Sequence, residues 1–406
     1  MPEAPGSACE PTFVGALSYG EDVRILHTSD WHLGRQFHGQ SMLTHQAAYV
    51  DHLLGLIEDR EIDLVVVAGD IYDRALPPVD AVALADDAFA RLAASRARVV
   101  VTSGNHDSAQ RLGFNSRLAD AAGFHLRTHL DRVAEPVLVP DEHGEVAVYG
   151  IPYLEPDHAK RHWDLSTRSH QAALGEAMRR INADLAARGP VRSVVLAHAF
   201  VMGGTTSDSE RDIAVGGVSA VPTALFDGID YVALGHLHGR HTLTESVRYS
   251  GSPLAYSFSE ADHLKGTWLV DLGAEGLAAT EFVAAPVPRP LARISGTIDE
   301  LLTSTRYDAD EHSWVQATIT DPVRPAQAMA RLQARFEHVV ALQFAPPTTA
   351  GASRRRVVTG RSDHEIALAF VSDVRGEPAS AAESDLLRDA CEACALDPDG
   401  DVRVRA

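Results

Sequence analysis

Cysteine is scarce. Cys9, Cys391 and Cys394 are the three in 406 residues, too few for a disulfide framework and in keeping with a reducing compartment. The Cys391-x-x-Cys394 spacing could mark a metal or redox site. No second pair accompanies it, however, and the surrounding pattern is helical, so two small helix residues are the simpler reading. No apolar run is long enough to span a bilayer. The first 22 residues, MPEAPGSACEPTFVGALSYGED, lack the basic start and apolar middle of a secretory leader. Positive charge is also short, since 36 Lys and Arg against 56 Asp and Glu leave a formal net charge of −20. That balance argues against a protein that coats nucleic acid by bulk attraction. It leaves room for a local basic patch, a metal cluster or a basic partner.

What is present reads as an ordinary globular chain, 45% hydrophobic and 23% charged, long enough for two or three domains. Residues 1–22 are expected to be a flexible extension; VRILHTSDWHLG would make a natural start if Val23 were the initiator. From Val23 onward, short apolar runs alternate with helical patterns. VRILHT, DLVVVAGD and ARVVVTSGNHD predict buried strands, as do EVAVYGIPY, RSVVLAHAF, DYVALGHLH, VRYSGS and GTWLVDL. Helices are expected near Ala47–Arg60, Val79–Ser95 and Gln171–Arg188. The fold class is α/β (α+β), a β-sandwich flanked by helices, over residues 23–285. The Pro-rich AAPVPRPLARI marks a boundary, after which SWVQATIT, PAQAMARLQARF and HVVALQFAP predict a small βαβ-like cap over 286–350. Residues 351–406 hold a linker with Arg354, Arg355, Arg356 and Arg361, then a terminal helix with a Ser/Glu start signal and a stripe of Leu386, Leu387 and Cys391.

The chemistry lies at the strand ends. They carry Asp30 and His32; Gly69-Asp70 with Asp73; Gly104-Asn105-His106-Asp107; His198; and Gly235-His236-Leu237-His238. Carboxyl ends of strands are where sites assemble in open sheets. Taken singly, each piece has a structural explanation: His198 as a hydrogen-bonded histidine, Asp70 as a turn residue or cap, Asn105 as a turn closer. Taken together, two carboxylates, four imidazoles and an amide suit two divalent cations sharing a bridging acid. Burying that set without a cation would be expensive.

D-x-H, GD-x-x-D, GNHD, a lone His and GH-x-H resemble the signature of calcineurin-like metallophosphoesterases. RILHTSDWHLG, VVVAGDIYD, SGNHDS, SERDIAVGG, DYVALGHLH and YSGSPLAYSFSE are closer still to the SbcD-type nuclease subunits of bacterial SbcCD complexes, relatives of the MRE nucleases. The likeness runs from about Val23 to Glu260 and more loosely into the cap. It implies one metal on Asp30, His32 and His238, a second on Asn105, His198 and His236, and Asp70 bridging. The two ions would lie roughly 3.5–4 Å apart and polarise the attacking hydroxide and the phosphodiester oxygens. Manganese is the family's usual activator. His106 becomes the candidate for stabilising the phosphate and protonating the leaving 3′ oxygen. Asp73 stands where the archaeal and eukaryotic relatives carry histidine, and is open between an orienting role and that of an ordinary loop acid. Asp107 is expected to buttress the loop.

The resemblance further implies a manganese-dependent exo- and endonuclease acting on duplex DNA ends and hairpins in DNA repair and recombination. Such a protein would be cytoplasmic and nucleoid-associated, and paired with an SbcC-like coiled-coil ATPase in a heterotetramer containing two copies of this chain. The tail stripe would then meet the partner's coiled coil. The arginine cluster is either a phosphate contact or a solvated loop. Two other readings compete: a stand-alone phosphodiesterase or phosphatase for small nucleotides or phosphoproteins, and a metal-free scaffold, against which the intact ligand set argues.

Overall fold

A computed structural model of the chain describes residues 22–211, 220–347 and 361–396. The predicted extension, all but Asp22, lies outside the described residues, as do Arg354, Arg355 and Arg356, the later part of SERDIAVGG, and the side chain of Cys394. The chain divides into two compact units, one ending at Ala345 and the other beginning at Pro346.

The first unit is built on two six-stranded sheets. In one, Val23–Thr28, Leu64–Ala68, Arg98–Thr102 and Phe124–Arg127 run parallel, and Gly266–Gly273 and Gly276–Ala284 add antiparallel strands beyond Val23–Thr28. In the other, Gly144–Ile151, Arg192–His198, Tyr231–Gly235 and Val247–Tyr249 are parallel, with Val137–Asp141 and His241–Thr242 antiparallel at the edges. Alternation explains why LVVVA is apolar throughout. Leu64 and Val66, with Val100 of the neighbouring strand, point into a core shared with Val148, Val194, Leu196 and Tyr231 of the facing sheet. Val65 and Val67 point the other way, beneath helices Leu43–Asp59 and Val79–Ala93. Successive side chains on a strand face opposite sides, so a strand covered on both faces needs no polar residue. The second sheet is covered likewise by Pro156–Trp163 and His170–Arg188. The layers are therefore helix, sheet, sheet, helix, as the sandwich reading expected.

The first helix begins at Leu43, four residues ahead of the expected start, and its first turn carries the buried Gln46. A short ribbon, Gln36–Phe37 with Gln40–Ser41, precedes it. Residues beyond the proline run form a three-stranded parallel sheet of Leu291–Gly296, Trp314–Ile319 and Val339–Phe344, with helices Ile298–Thr303 and Ala328–Gln333. It has a core of its own, including Ile294, Leu301, Val315, Leu332 and Phe336. Trp314 joins Phe37, Met42, Leu254, Tyr256 and Phe258 in a separate apolar cluster that ties this sheet to the sandwich.

The second unit pairs helices Asp363–Arg375 and Ala381–Leu396. Ser362 with Glu365 forms a capping box, and Ser380 with Glu383 starts the second helix as the sequence signal expected. None of its described residues is buried, and Phe370, Val374 and Leu386 are exposed. No helix among the described residues is long and apolar enough to cross a membrane.

Leu301, with no exposed surface, should report the independence of the small sheet's core. Leu301→Ala is expected to cost about 2–5 kcal/mol there. Amide hydrogen exchange should quicken across Leu291–Phe344 and leave Leu64–Ala68 protected.

Candidate metal centre

Five of the parallel strands, drawn from both sheets, deliver candidate site residues to one rim. Val23–Thr28 leads to Asp30 and His32, Leu64–Ala68 to Asp70, Arg98–Thr102 to Asn105 and His106, Arg192–His198 to its own last residue, and Tyr231–Gly235 to His236 and His238. Four of these leave the strand in left-handed backbone: Asp30 (φ 55°), His32 (φ 47°), Asp70 (φ 51°) and His236 (φ 106°). Side chains other than glycine adopt that conformation at a cost, and its clustering here turns each side chain back over the rim. The backbone is held by cross-links between loops: the Asp30 amide donates to the Gly69 carbonyl (3.0 Å) and the His32 amide to the Asp70 carbonyl (3.0 Å). Gln46 donates to the carbonyls of Trp31 (3.2 Å) and His32 (2.7 Å). Two glycines make the approach possible. A Cβ on Gly104 would lie 2.1 Å from Asp70 Oδ1, and one on Gly235 would lie 1.9 Å from the Ala68 carbonyl oxygen.

Asp30, His32 and His238 offer ligand atoms that all lie within 4.8 Å of one another, as do Asp30, Asp70 and His198. His32 Nε2 faces His238 Nε2 at 3.0 Å. On the other side, Asn105 Oδ1 lies 2.9 Å from His198 Nε2 and 3.2 Å from His236 Nδ1. All seven residues expected to bind metal are thus brought together. A third set, His32, Asp73 and His106, meets the same distance criterion, but His106 Nδ1 is committed to the Asp73 carbonyl at 2.7 Å.

The arrangement fits cations. His198 Nδ1 donates to the Ala68 carbonyl at 2.9 Å, so in the neutral ring Nε2 presents a lone pair to another acceptor, Asn105 Oδ1. Buried His32 Nδ1 and Asn105 Nδ2 have no hydrogen-bond partner. Positive charge between these lone pairs, from protons or from metal, relieves their confrontation. The titration behaviour agrees. Burial pushes the Asp30 carboxyl up to about 6. Burial also opposes charge on Asp70 and His198, but the attraction between them wins, holding Asp70 well below its usual range and lifting His198 to about 9. His236 is pushed down to about 3 by burial and by His198.

Asp107 accepts from the amides of Ile71 (3.1 Å), Tyr72 (2.9 Å) and Gly104 (2.9 Å), joining two of the ligand loops. Asp73 reaches His106 through its carbonyl. Its carboxylate is turned to Arg35 (3.4 Å) and His32 Nδ1 (3.9 Å). Gln46, and Glu260 and Lys265, which adjoin His238, stand outside the strand-end pattern that marks the candidate ligands in the sequence. Glu260 ends YSGSPLAYSFSE, and an acid closing a stretch that is otherwise uncharged was the available signal.

Gly104→Ala should displace Asp70 and weaken divalent-metal binding at least tenfold, with about 1–3 kcal/mol of destabilisation from overpacking. Gly55→Ala, inside helix Leu43–Asp59 where an added Cβ meets nothing within 4 Å, is the control: metal titration should be unchanged and thermal stability raised by about 0.5–1 kcal/mol. Metal-free protein should also lose stability as pH rises from 6.5 towards 9. The His198 proton is held more tightly folded than unfolded, so its contribution is complete below 6.5 and vanishes as pH passes about 9. The slope would be at most about 1.4 kcal/mol per pH unit, and saturating metal should flatten it, as chemical denaturation at several pH values would show.

Residues 23–240 match the calcineurin-like phosphoesterases, and residues 287–373 match the SbcD-type domain described as the type 5 capsule protein repressor C-terminal domain. Among solved structures, the chain is similar to TT1561 of Thermus thermophilus, at 16% identity over 64% of this chain and 99% of that one, with a TM-score of 0.39. It is also similar to a dimetal phosphatase from Danio rerio, at 14% identity over 65% and 99%, with a TM-score of 0.36. Likenesses this distant leave the assignment to the two family matches. The first spans more than half of the chain, and on that ground the chain belongs to the calcineurin-like phosphoesterases, hydrolases of phosphoester bonds, and is of their SbcD type.

Proposed function

We propose that the chain is the nuclease subunit of an SbcCD-type complex, hydrolysing phosphodiester bonds at duplex DNA ends and hairpins. The observation that carries this reading is the joining of a phosphoesterase segment, with its ligand-bearing rim, to an SbcD-type C-terminal segment in one chain. Asp30, His32 and His238 would hold one metal ion, Asn105, His198 and His236 a second, and Asp70 both. Two such ions, manganese foremost, supply Lewis acidity towards phosphate oxygens and lower the pKa of water.

The remaining work falls to side chains. The Asp73 carbonyl holds His106 Nδ1, so a proton carried at Nε2 points into the centre, where Asp70 Oδ2 is 4.0 Å away. Burial holds the His106 pKa below the ordinary imidazole range, which makes its protonated form a ready donor to the leaving 3′ oxygen. Asp73 has an orienting role, through main chain to His106 and through its carboxylate to Arg35 and His32.

An acidic chain needs help to hold DNA. Metal charge and an SbcC-like ATPase would supply that help. Of the tail stripe, Leu386 is exposed and Leu387 and Cys391 are half-buried; Leu386, with the exposed Phe370 and Val374 of the preceding helix, offers apolar side chains to such a partner's coiled coil. Two copies of this chain and two of the ATPase would complete the complex, acting in DNA repair and recombination in the cytoplasm.

The test is cleavage of end-labelled hairpin DNA with manganese, by the chain alone and with its ATPase partner, beside a His106→Asn variant. The expected outcome is cutting by wild type and a loss of about 10²–10⁴-fold in the variant at unchanged metal content. Hydrolysis of a small chromogenic phosphodiester with no DNA cleavage, partner included, would replace this reading by a stand-alone phosphodiesterase.

A further inference from the structure

Glu260 is wholly buried, and so, nearly, is Lys265. A lone carboxylate at that depth would be costly, yet both of its oxygens are occupied. Oε1 accepts from Ser209 Oγ and from Ser207 Oγ (3.1 Å), and lies 3.2 Å from His238 Nδ1. Oε2 accepts from Lys265 Nζ (2.5 Å) and from the Tyr256 amide (3.2 Å). Lys265 Nζ also donates to the His238 carbonyl (2.8 Å) and to Ser252 Oγ (2.9 Å). One buried ion pair therefore grips a single residue twice, ring and main chain.

The hydrogen bonds have a fixed direction. An ionised carboxylate only accepts, so the Ser209 hydroxyl proton goes to Glu260. Ser209 Oγ, 2.6 Å from His238 Nδ1, then has only lone pairs to offer the ring. Nδ1 must carry the proton, and Nε2 is left bare, facing His32 Nε2. His198 obtains the same result from the Ala68 main-chain carbonyl. His238 lies beyond the end of its strand, and its ring is fixed by side chains instead.

We propose that Glu260 and Lys265 are positioning residues for His238, holding its imidazole in the tautomer and orientation that present Nε2 to a divalent cation. This rests on the reading of His238 as a ligand. Both residues lie past the phosphoesterase match, which ends at residue 240, so the device belongs to the later part of this chain. Carboxylate–histidine pairs of this kind raise ligand basicity, and their loss costs metal affinity without removing a ligand.

The test uses the full chain and three variants. The double variant, Glu260→Met with Lys265→Met, removes both buried charges together, which interiors tolerate better than removal of one. In reserve, Glu260→Gln combined with Lys265→Met keeps the shape and an acceptor and leaves no charge unpaired. His238→Ala is the control for the ligand. Manganese titration followed by electron paramagnetic resonance should give two ions per chain for wild type. For the double variant, one ion should bind as in wild type and the other about 10–100-fold more weakly, with thermal unfolding little changed. Imidazole ¹⁵N shifts of the metal-free protein should show His238 protonated at Nδ1 in wild type and redistributed to Nε2 in the double variant. Wild-type affinity for both ions, or an unmoved tautomer, in the folded double variant overturns the proposal. If that variant does not fold, Glu260→Gln combined with Lys265→Met replaces it, with about tenfold weakening expected and an unaltered titration as the refuting result. If His238→Ala itself leaves both affinities intact, the ligand reading has failed and the proposal goes with it.

Discussion

Asp30 and Asp70 are buried side by side with imidazoles and, among the described residues, neither is paired with an arginine or lysine. Their charge has to be balanced by cations brought in from outside or by protons on the histidines. The surrounding structure follows from that demand. Strands from two sheets end on one rim because no single element can offer seven donors to one small volume. Glycines stand at 104 and 235 because a methyl group there would occupy the space of Asp70 or of the Ala68 carbonyl. Asp107 and Gln46 spend their hydrogen bonds on loop backbone, so that the ligands are aimed before any ion arrives.

The same rim is where the sandwich meets the parts added after it. Glu260 and Lys265 touch His238 on one side, and on the other they line a cavity of about 350 Å³ that also takes in Pro288, Leu291 and Trp314. Met42 and His45, at the start of the first helix, line it too. The small sheet is thus in contact with the surroundings of one candidate ligand, although its own core is separate. Changes in its seating have a short physical route to the centre.

Much of this was legible in the sequence, for definite reasons. LVVVA and RVVVT could be read as strands covered on both faces because an exposed face would have interrupted them with polar residues. The candidate ligands were legible because each follows such a run at once. Other elements were not. Phe124–Arg127 is four residues long and half polar, and Leu291–Gly296 follows a proline run that reads as a boundary, although its main chain pairs fully with Trp314–Ile319. The partners of Glu260 lie up to 53 residues away, and no local pattern encodes a contact at that separation. The side of Asp73 that faces His106 was equally hidden, since residue type says nothing about whether carbonyl or carboxylate will be presented.

The four left-handed residues at the rim carry a consequence for descent. Each sits in backbone that glycine would occupy with ease and aspartate or histidine does not. A lineage released from selection for catalysis would find substitutions at Asp30, His32, Asp70 and His236 thermodynamically downhill, shedding both strain and buried charge. Such a descendant would keep its sheets and fold more securely than its parent. Loss of the four together from a relative would therefore mark its release from metal binding, because stability alone gives no reason to keep them.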